Sequence, residues 1–272
     1  MSFDTLERSI ADGAPRRLYL FQRGVQAWCY TSGDRDVTHL ARTYKAIAGG
    51  ISDDGIRQTG QAQADMLQIT AAADLDVAQL YRSLPPSADV SVTVFGLHES
   101  LADYVVLWSG SVRSVKWPRI DRCVISCATL AASLESTGLR LSWDRACPHA
   151  LYTVACGVDA AAWRVTSSVQ SMDGASVTNG GLAAYPAGYF TGGYVEWSLP
   201  GGEPERRGIE RHADGTLHLL GGTAGIAPGA ALRVYPGCAQ TTTACKAFGN
   251  LANFGGIPHL AGVSPFDGNN HF

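Results

Sequence analysis

Between Arg17 and Asp34 the chain reads RLYLFQRGVQAWCYTSGD, two runs of alternating character on either side of Arg23-Gly24. A strand sends successive side chains to opposite faces, so such alternation reads as a half-buried strand. The glycine between the two runs makes them a β-hairpin. The pattern returns in ADMLQITA, DVSVTVFGLHE, DYVVLWSGSVRSVKW and DRCVISCAT, which predict an antiparallel sheet or small barrel. Further on, WRVTSSVQSMDGASVTN reads as a hairpin around Asp173-Gly174, and RRGIERHADGTLHLL as another with its turn at Asp214-Gly215. GYFTGGYVEWSL reads as one more strand pair and GAALRVYPG as a final strand.

Helical signals are few and short. Phe3, Leu6 and Ile10 share a face behind Ser2 as N-cap, and Gly13-Ala14-Pro15 stops that helix. DVAQLYRSLPPSADV gives a second helix, stopped by Pro85-Pro86, and TLAASLESTGL a third, closed by Gly138. The expected class is mainly β with a few short helices (α+β): antiparallel β-barrel or sheet modules, then a loop-rich domain carrying four cysteines. Gly, Pro and turn residues become frequent near residue 140, which divides the chain into residues 1–140 and 141–272. The tail SPFDGNNHF has no periodicity and is expected to be a flexible end.

Composition excludes several classes. Charged residues are 17% of the 272 and the net charge is -3, with no basic block, which argues against sequence-specific nucleic-acid binding. No apolar run approaches the ~20 residues of a membrane span. The first residues lack the basic and apolar regions of a secretory signal, so synthesis in a cytosol is expected, where stable disulfides are rare. Low charge, with Trp108, Trp117 and Trp197 as candidate interface anchors, points to a protein that assembles with others.

Seven cysteines in such a chain favour metal, cluster or plain burial. Cys29, Cys123 and Cys127 lie in strand patterns. Cys123 and Cys127 share a strand face but sit roughly 13 Å apart, too far to ligate together. The other four fall in loops. Cys147 and Cys156 bracket eight residues in CPHALYTVACG, and Cys238 and Cys245 bracket six in CAQTTTAC. If the two loops meet, four thiolates suit Zn(II) or an iron–sulfur cluster. Structural zinc usually takes pairs with two to four intervening residues, so these wider pairs suit a bulkier centre. Two disulfides formed after assembly, or free thiols, are the other readings of the spacing.

The stretches WDRACPHALYTVACGVD, FTGGYVEW, YPGCAQTTTACKAFGNLANFGGIPHL and SPF resemble the C-terminal domain of phage tail-tip hub proteins. These combine a domain of unknown function with a C-terminal phage module. They occur in siphophages and gene transfer agents and are related to minor tail protein L of lambdoid phages. YTSGDRDVT, IRQTG, DVAQLYRSLPP and TGLRLSW resemble the family's upstream signatures, so the likeness spans residues 17–266. The resemblance implies a virion structural protein and no enzyme, forming a ring, typically a homotrimer, at the tail tip. It would join the tail tube and distal tail protein to a central fibre or receptor-binding hub, after synthesis in the bacterial host cytoplasm. It also implies an iron–sulfur cluster of the four-iron (4Fe-4S) type on Cys147, Cys156, Cys238 and Cys245, with zinc as the alternative.

Around those cysteines, Gly237, Gly255 and Gly256 are expected to allow close backbone passage or positive φ. Asn250 and Asn253 are expected to cap loop groups, and Phe248 and Phe254 to shield the sulfurs. The rival reading is a tail-associated thiol hydrolase using Cys147 with His149, or Cys156 with a distant His. A nucleophile does not explain paired cysteines, and no GxSxG or HExxH motif occurs. His149 and His259 read as loop hydrogen-bonders.

Overall fold

The hairpin at Arg23-Gly24 forms as the alternation predicts. Strand β1 (Pro15–Arg23) pairs antiparallel with β2 (Gln26–Thr31), from Leu18↔Thr31 to Arg23↔Gln26. The computed structural model describes residues 3–11, 13–57, 59–61, 65–98, 104–134, 143–199 and 203–260. It divides into two units, Met1–Ser136 with Pro200–Glu203, and Thr137–Leu199 with Pro204–Phe272. Both are built on sheets, so the protein is mainly β with a few short helices.

The first unit adds β3 (Val37–His39), β4 (Arg42–Ala46), β5 (Ser52–Asp53), β6 (Leu67–Ala72), β7 (Ser91–His98), β8 (Val105–Lys116) and β9 (Arg122–Thr129). They form one nine-stranded sheet in the order β3-β4-β2-β1-β7-β8-β9-β6-β5. Every pair is antiparallel except β2 with β4. The apolar run LYLF in β1 reflects cover on both faces. Tyr19 and Phe21 join a core with Ile69, Val92, Val94 and Ile125, while Leu18 joins Tyr44, Phe95 and Leu97 in a second cluster. Each fully buried large apolar side chain contributes about 1.5–3 kcal/mol.

The sheet curls far enough for Tyr19 on β1 to reach β5, five strands away, and its hydroxyl donates to Asp53 Oδ2 at 2.7 Å. Burial, with the Asp53 hydrogen bond, drives the Tyr19 hydroxyl far up in pKa, so it remains a neutral donor. Closure is thus made by side chains, and the strand order stays open.

Helix α1 (Phe3–Glu7) buries Leu6, but Ile10 is fully exposed because the helix ends before it. Helix α2 (Asp76–Gln79) buries Val77 and Ala78, and α3 (Leu130–Leu134) follows β9. Two of the predicted interface tryptophans, Trp108 and Trp197, are core residues instead, and Trp117 is partly buried. Trp108 is 5% exposed and its indole donates to the Asp65 carbonyl. Trp117 donates to the Ala73 carbonyl and packs against the same core. Low surface charge carried no information about these rings, whose N–H groups find partners inside.

The second unit contains β10 (Val165–Ser168), β11 (Ser171–Asp173), β12 (Ser176–Thr178), β13 (Tyr194–Ser198), β14 (Pro204–Ala213), β15 (Thr216–Leu219) and β16 (Ala231–Tyr235). Their order is β10-β16-β13-β14-β15-β12-β11, all antiparallel. The turns at Gly174 and at Asp214-Gly215 close their hairpins as expected. Two expectations are corrected. The WRVTSS half of the first predicted hairpin forms β10 and pairs with β16, more than sixty residues later. GYFTGG is no strand: Tyr189, Thr191 and Gly193 each donate to the carbonyl three residues back, a run of turns that buries Phe190.

Trp197, also predicted as an anchor, is 3% exposed and donates to the Gly225 carbonyl. Glu196 on β13 lies opposite Arg206 and Arg233 on its two neighbours and bonds both, at 2.8 and 2.7 Å. Such cross-strand pairs stitch the three central strands. The predicted flexible tail lies outside the described residues.

Candidate metal centre

The end of β16 delivers the second cysteine pair. Pro236 and Gly237 follow Tyr235, and a Cβ on Gly237 would collide with the Thr191 carbonyl oxygen. Only glycine permits this close approach, which sets the path to Cys238. Gln240, at φ 57°, donates its N–H to Cys238 Sγ at 3.3 Å. Two short helices flank the region, α4 (Ala160–Trp163) and α5 (Thr242–Ala247). Thr241 caps α5, its hydroxyl accepting from the Ala244 N–H. That fixes Cys245 on the buried side of the helix. Gly249, at φ 66°, then ends the helix and turns the chain into Asn250.

The first pair is held against the second by backbone and side-chain bonds. Cys147 N–H donates to the Gln240 carbonyl at 2.8 Å. Ile257 N–H donates to the Asp144 carbonyl, and Arg145 Nε to the Leu260 carbonyl, both at 2.9 Å. Between the two cysteines, Tyr152 adopts φ 67° and aims its hydroxyl at the Pro236 carbonyl, 3.0 Å away. Its ring packs edge-on against Tyr194 and Tyr235, which stack on each other. The loop is therefore docked onto the sheet beside the point where Cys238 leaves it.

Asn250 clamps the arrangement. Its side-chain amide donates to the Cys156 carbonyl at 2.5 Å and points at Cys156 Sγ, 3.6 Å away. Its own carbonyl accepts from the Cys245 thiol at 3.1 Å, and its Oδ1 accepts from Asn253 Nδ2 at 2.7 Å. Gly255 N–H donates to Cys147 Sγ at 3.4 Å. Cys147, Cys156, Cys238 and Cys245 thus line one cavity of about 20 Å³, with Phe248 in its wall. That is slightly more than the ~10–15 Å³ needed to admit one water. No Asp, Glu, Lys or Arg side chain lines it.

Burial pushes the Cys245 thiol up in pKa, and the neighbouring Cys147, Cys238 and Cys156 push it further, as like charges would. All seven cysteines are unbridged. Among the described residues, no group of three or more His, Cys, Asp or Glu stands in the arrangement of a ready metal site. The donor set itself fits a four-thiolate centre. Four cysteines line one space that holds no Asp, Glu, Lys or Arg, and N–H donors reach three of the sulfurs.

The sequence-predicted supporting residues divide. Phe248 lines the cavity, while Phe254 is not among its lining residues. Gly255 and Gly256 serve close approach: a Cβ would meet the His149 ring at the first and the backbone of Arg145 and Ala146 at the second. His149 lines the cavity, and His259 is exposed. Gln240, Tyr152 and Asp144 escaped the sequence reading. Only Tyr152, an aromatic between two cysteines, carried a signal there. Cys123 and Cys127 are fully buried in the first unit, and Cys29 is partly so.

Residues 20–159, just over half of the chain, match a family model described as baseplate hub protein, N-terminal attachment domain. Residues 188–263 match a second, described as phage conserved hypothetical protein BR0599. The first match contains Cys147 and Cys156, the second Cys238 and Cys245. An uncharacterized protein of Xylella fastidiosa (strain 9a5c) is 26% identical over 190 residues, 64% of this chain and 38% of that relative. The chain thus spans well under half the length of that relative. Among solved structures, the virion of a native gene transfer agent particle contains a chain of the same fold. Its TM-score is 0.76 at 18% identity, over 96% of this chain and 93% of that one. With more than half its length in the attachment domain of these hubs, this chain belongs to the phage baseplate hub protein family.

Proposed function

We propose that this phage tail structural protein is a tail-tip hub whose second unit is stapled by a four-thiolate centre, an iron–sulfur cluster of the four-iron type. The observation that carries the centre is the convergence of Cys147, Cys156, Cys238 and Cys245 on one cavity. N–H groups directed at the sulfurs support the cluster, because such bonds accompany cluster thiolates. The wide spacing of both pairs favours it over a single ion. When bound, the centre cross-links the segment near Cys147 to the segment near Cys238, and its binding free energy becomes folding free energy. The chain's own residues do the rest. Asn250 and Gly255 orient Cys156 and Cys147, and Tyr152 docks the first loop on the sheet.

In the virion the hub joins the tail tube and its distal tail protein to a central fibre or receptor-binding assembly, as a homotrimer assembled in the bacterial host cytoplasm. Hub-family membership and the fold shared with a gene transfer agent virion chain support this role. The role is architectural, not enzymatic. A second reading, zinc in place of the cluster, is favoured by the small cavity.

Anaerobic purification followed by iron, sulfide and zinc analysis tests the centre. Brown protein with iron and acid-labile sulfide, both lost in Cys245→Ser, is the expected result. Colourless protein with one zinc per chain would overturn the cluster. Tail particles assembled without this protein should lack a complete tip; normal infectious tails would refute the hub.

A further inference from the structure

In the first unit, the face of β5, β6 and β9 turned away from the core carries polar groups in register. Ser52 lies opposite Thr70, and Thr70 opposite Val124. Side chains two apart on a strand share a face, so Arg122 stands beside Val124 on β9. The intervening Ile69, Ala71, Cys123 and Ile125 turn the other way, into the core. One cleft of about 470 Å³ collects Ser52, Thr70 and Arg122, and Arg119 joins them from the turn between β8 and β9. Gly49 and Gly50, at φ 82° and 73°, wall it without side chains. The Arg122 guanidinium lies against Gly49, and its Nη1 donates to the Gly50 carbonyl at the long distance of 3.5 Å. That bond steadies the guanidinium and uses one of the five N–H donors an arginine carries. Among the described residues, no carboxylate lines the cleft. Asp121 Oδ2 lies 4.0 Å from Arg122 Nε, but its side chain is 77% exposed, and a pair so open to water is weak.

We propose that this cleft is an oxyanion site that takes a phosphate group, with Arg119 and Arg122 as its cationic clamp and Ser52 and Thr70 as hydroxyl donors. Guanidinium groups present paired N–H donors that match the oxygens of such a group. In a chain of net charge -3, two arginines in one cleft without an acid concentrate positive potential at a single point. The donors stand on the strand floor and on the turn, so a tetrahedral group meets more of them than a planar carboxylate does. The volume falls within the ~300–1,000 Å³ of small-molecule sites and exceeds what a bare ion fills. A phosphate carried on a larger molecule therefore fits best. None of these residues belongs to the cysteine centre, so the site holds whatever that centre contains.

The test is titration of the full, nitrogen-15-labelled chain with inorganic phosphate, glycerol phosphate and acetate, each at the same low ionic strength, because salt screens exposed charges. Nuclear magnetic resonance follows the amides of Gly49, Gly50 and Thr70. Both phosphates should shift these signals saturably, and acetate should shift them little. Tighter binding of glycerol phosphate supports a phosphate borne on a larger molecule, and tighter binding of inorganic phosphate supports the free ion. Arg119→Gln and Arg122→Gln should each weaken binding roughly 10-fold or more, the worth of a charge-assisted hydrogen bond. Arg113→Gln makes the same charge change at an exposed arginine of β8 outside the cleft, and should leave the affinity as it was. The anion series on the unaltered protein keeps the test decisive if a variant fails to fold. Acetate binding as tight as phosphate would overturn the proposal, as would the absence of saturable shifts. So would an Arg113→Gln loss equal to that of Arg119→Gln, since net charge alone would then explain the binding.

Discussion

Replacing Asn250 by alanine should loosen the clamp between the two cysteine loops. The Cys156 carbonyl loses its donor, and the Cys156 sulfur loses a weaker one at 3.6 Å. The backbone carbonyl of Asn250, which accepts from Cys245, remains. Asn253 is exposed, and water replaces its lost partner at little cost. An unsatisfied, partly buried acceptor costs about 1–3 kcal/mol. At 1.4 kcal/mol per tenfold, that is roughly a 5- to 140-fold rise in local opening.

A whole-chain denaturation curve would blur this, because two units need not unfold together. Amide hydrogen exchange resolves it, since the Gly157 N–H is held by the Thr153 carbonyl at 2.8 Å inside the affected loop. In chelator-treated protein, Gly157 should exchange faster by that factor in Asn250→Ala and stay near wild type in Asn253→Ala. Asn250→Asp should be worse than alanine, because a carboxylate replaces the donor beside the Cys156 carbonyl and the thiols. Less than a twofold change in Asn250→Ala, or an Asp variant that matches wild type, would refute the clamp.

Acid should weaken the second unit through Glu196. Burial pushes its carboxyl up, but hydrogen bonds from Arg233 and Arg206 outweigh that and hold it below the ordinary glutamate value. A carboxylate lowered on folding contributes stability above the unfolded value, about 4.3, and that stability is lost as pH falls through the lowered folded value. Circular dichroism between neutral pH and strong acid should show this loss, and Glu196→Gln should flatten it while lowering neutral-pH stability. Gly237→Ala should force the backbone apart at Thr191, costing roughly 1–3 kcal/mol in the thermal stability of the second unit.

The hairpins at Arg23-Gly24 and Asp214-Gly215 were legible because their turns are local and their strands alternate. The partner of β10 was not: its pairing with β16 crosses more than sixty residues, and no local pattern encodes that choice. GYFTGG misled because its aromatics resemble a strand, while Gly192 and Gly193 set turns that the alternation does not reveal. Trp108 and Trp197 were misread because few surface charges do not imply exposed rings. The two cysteine pairs could be seen in the sequence, but not that Cys245, expected in a loop, would sit on the buried side of helix α5. The bonds that gather them could not, since Gln240 and Gly255 act through backbone groups common to every residue.

The bond from Cys147 N–H to the Gln240 carbonyl spans 93 positions of the chain. At a synthesis rate of ~5–20 residues per second, the ribosome needs roughly 5–20 s to make the partner of a segment already emerged. During that interval Cys147 and Cys156 have neither their Asn250 clamp nor the other two thiols. Assembly of this unit is therefore a race on the translating ribosome, between completion of β16 and α5 and whatever cellular chemistry reaches two waiting thiols first.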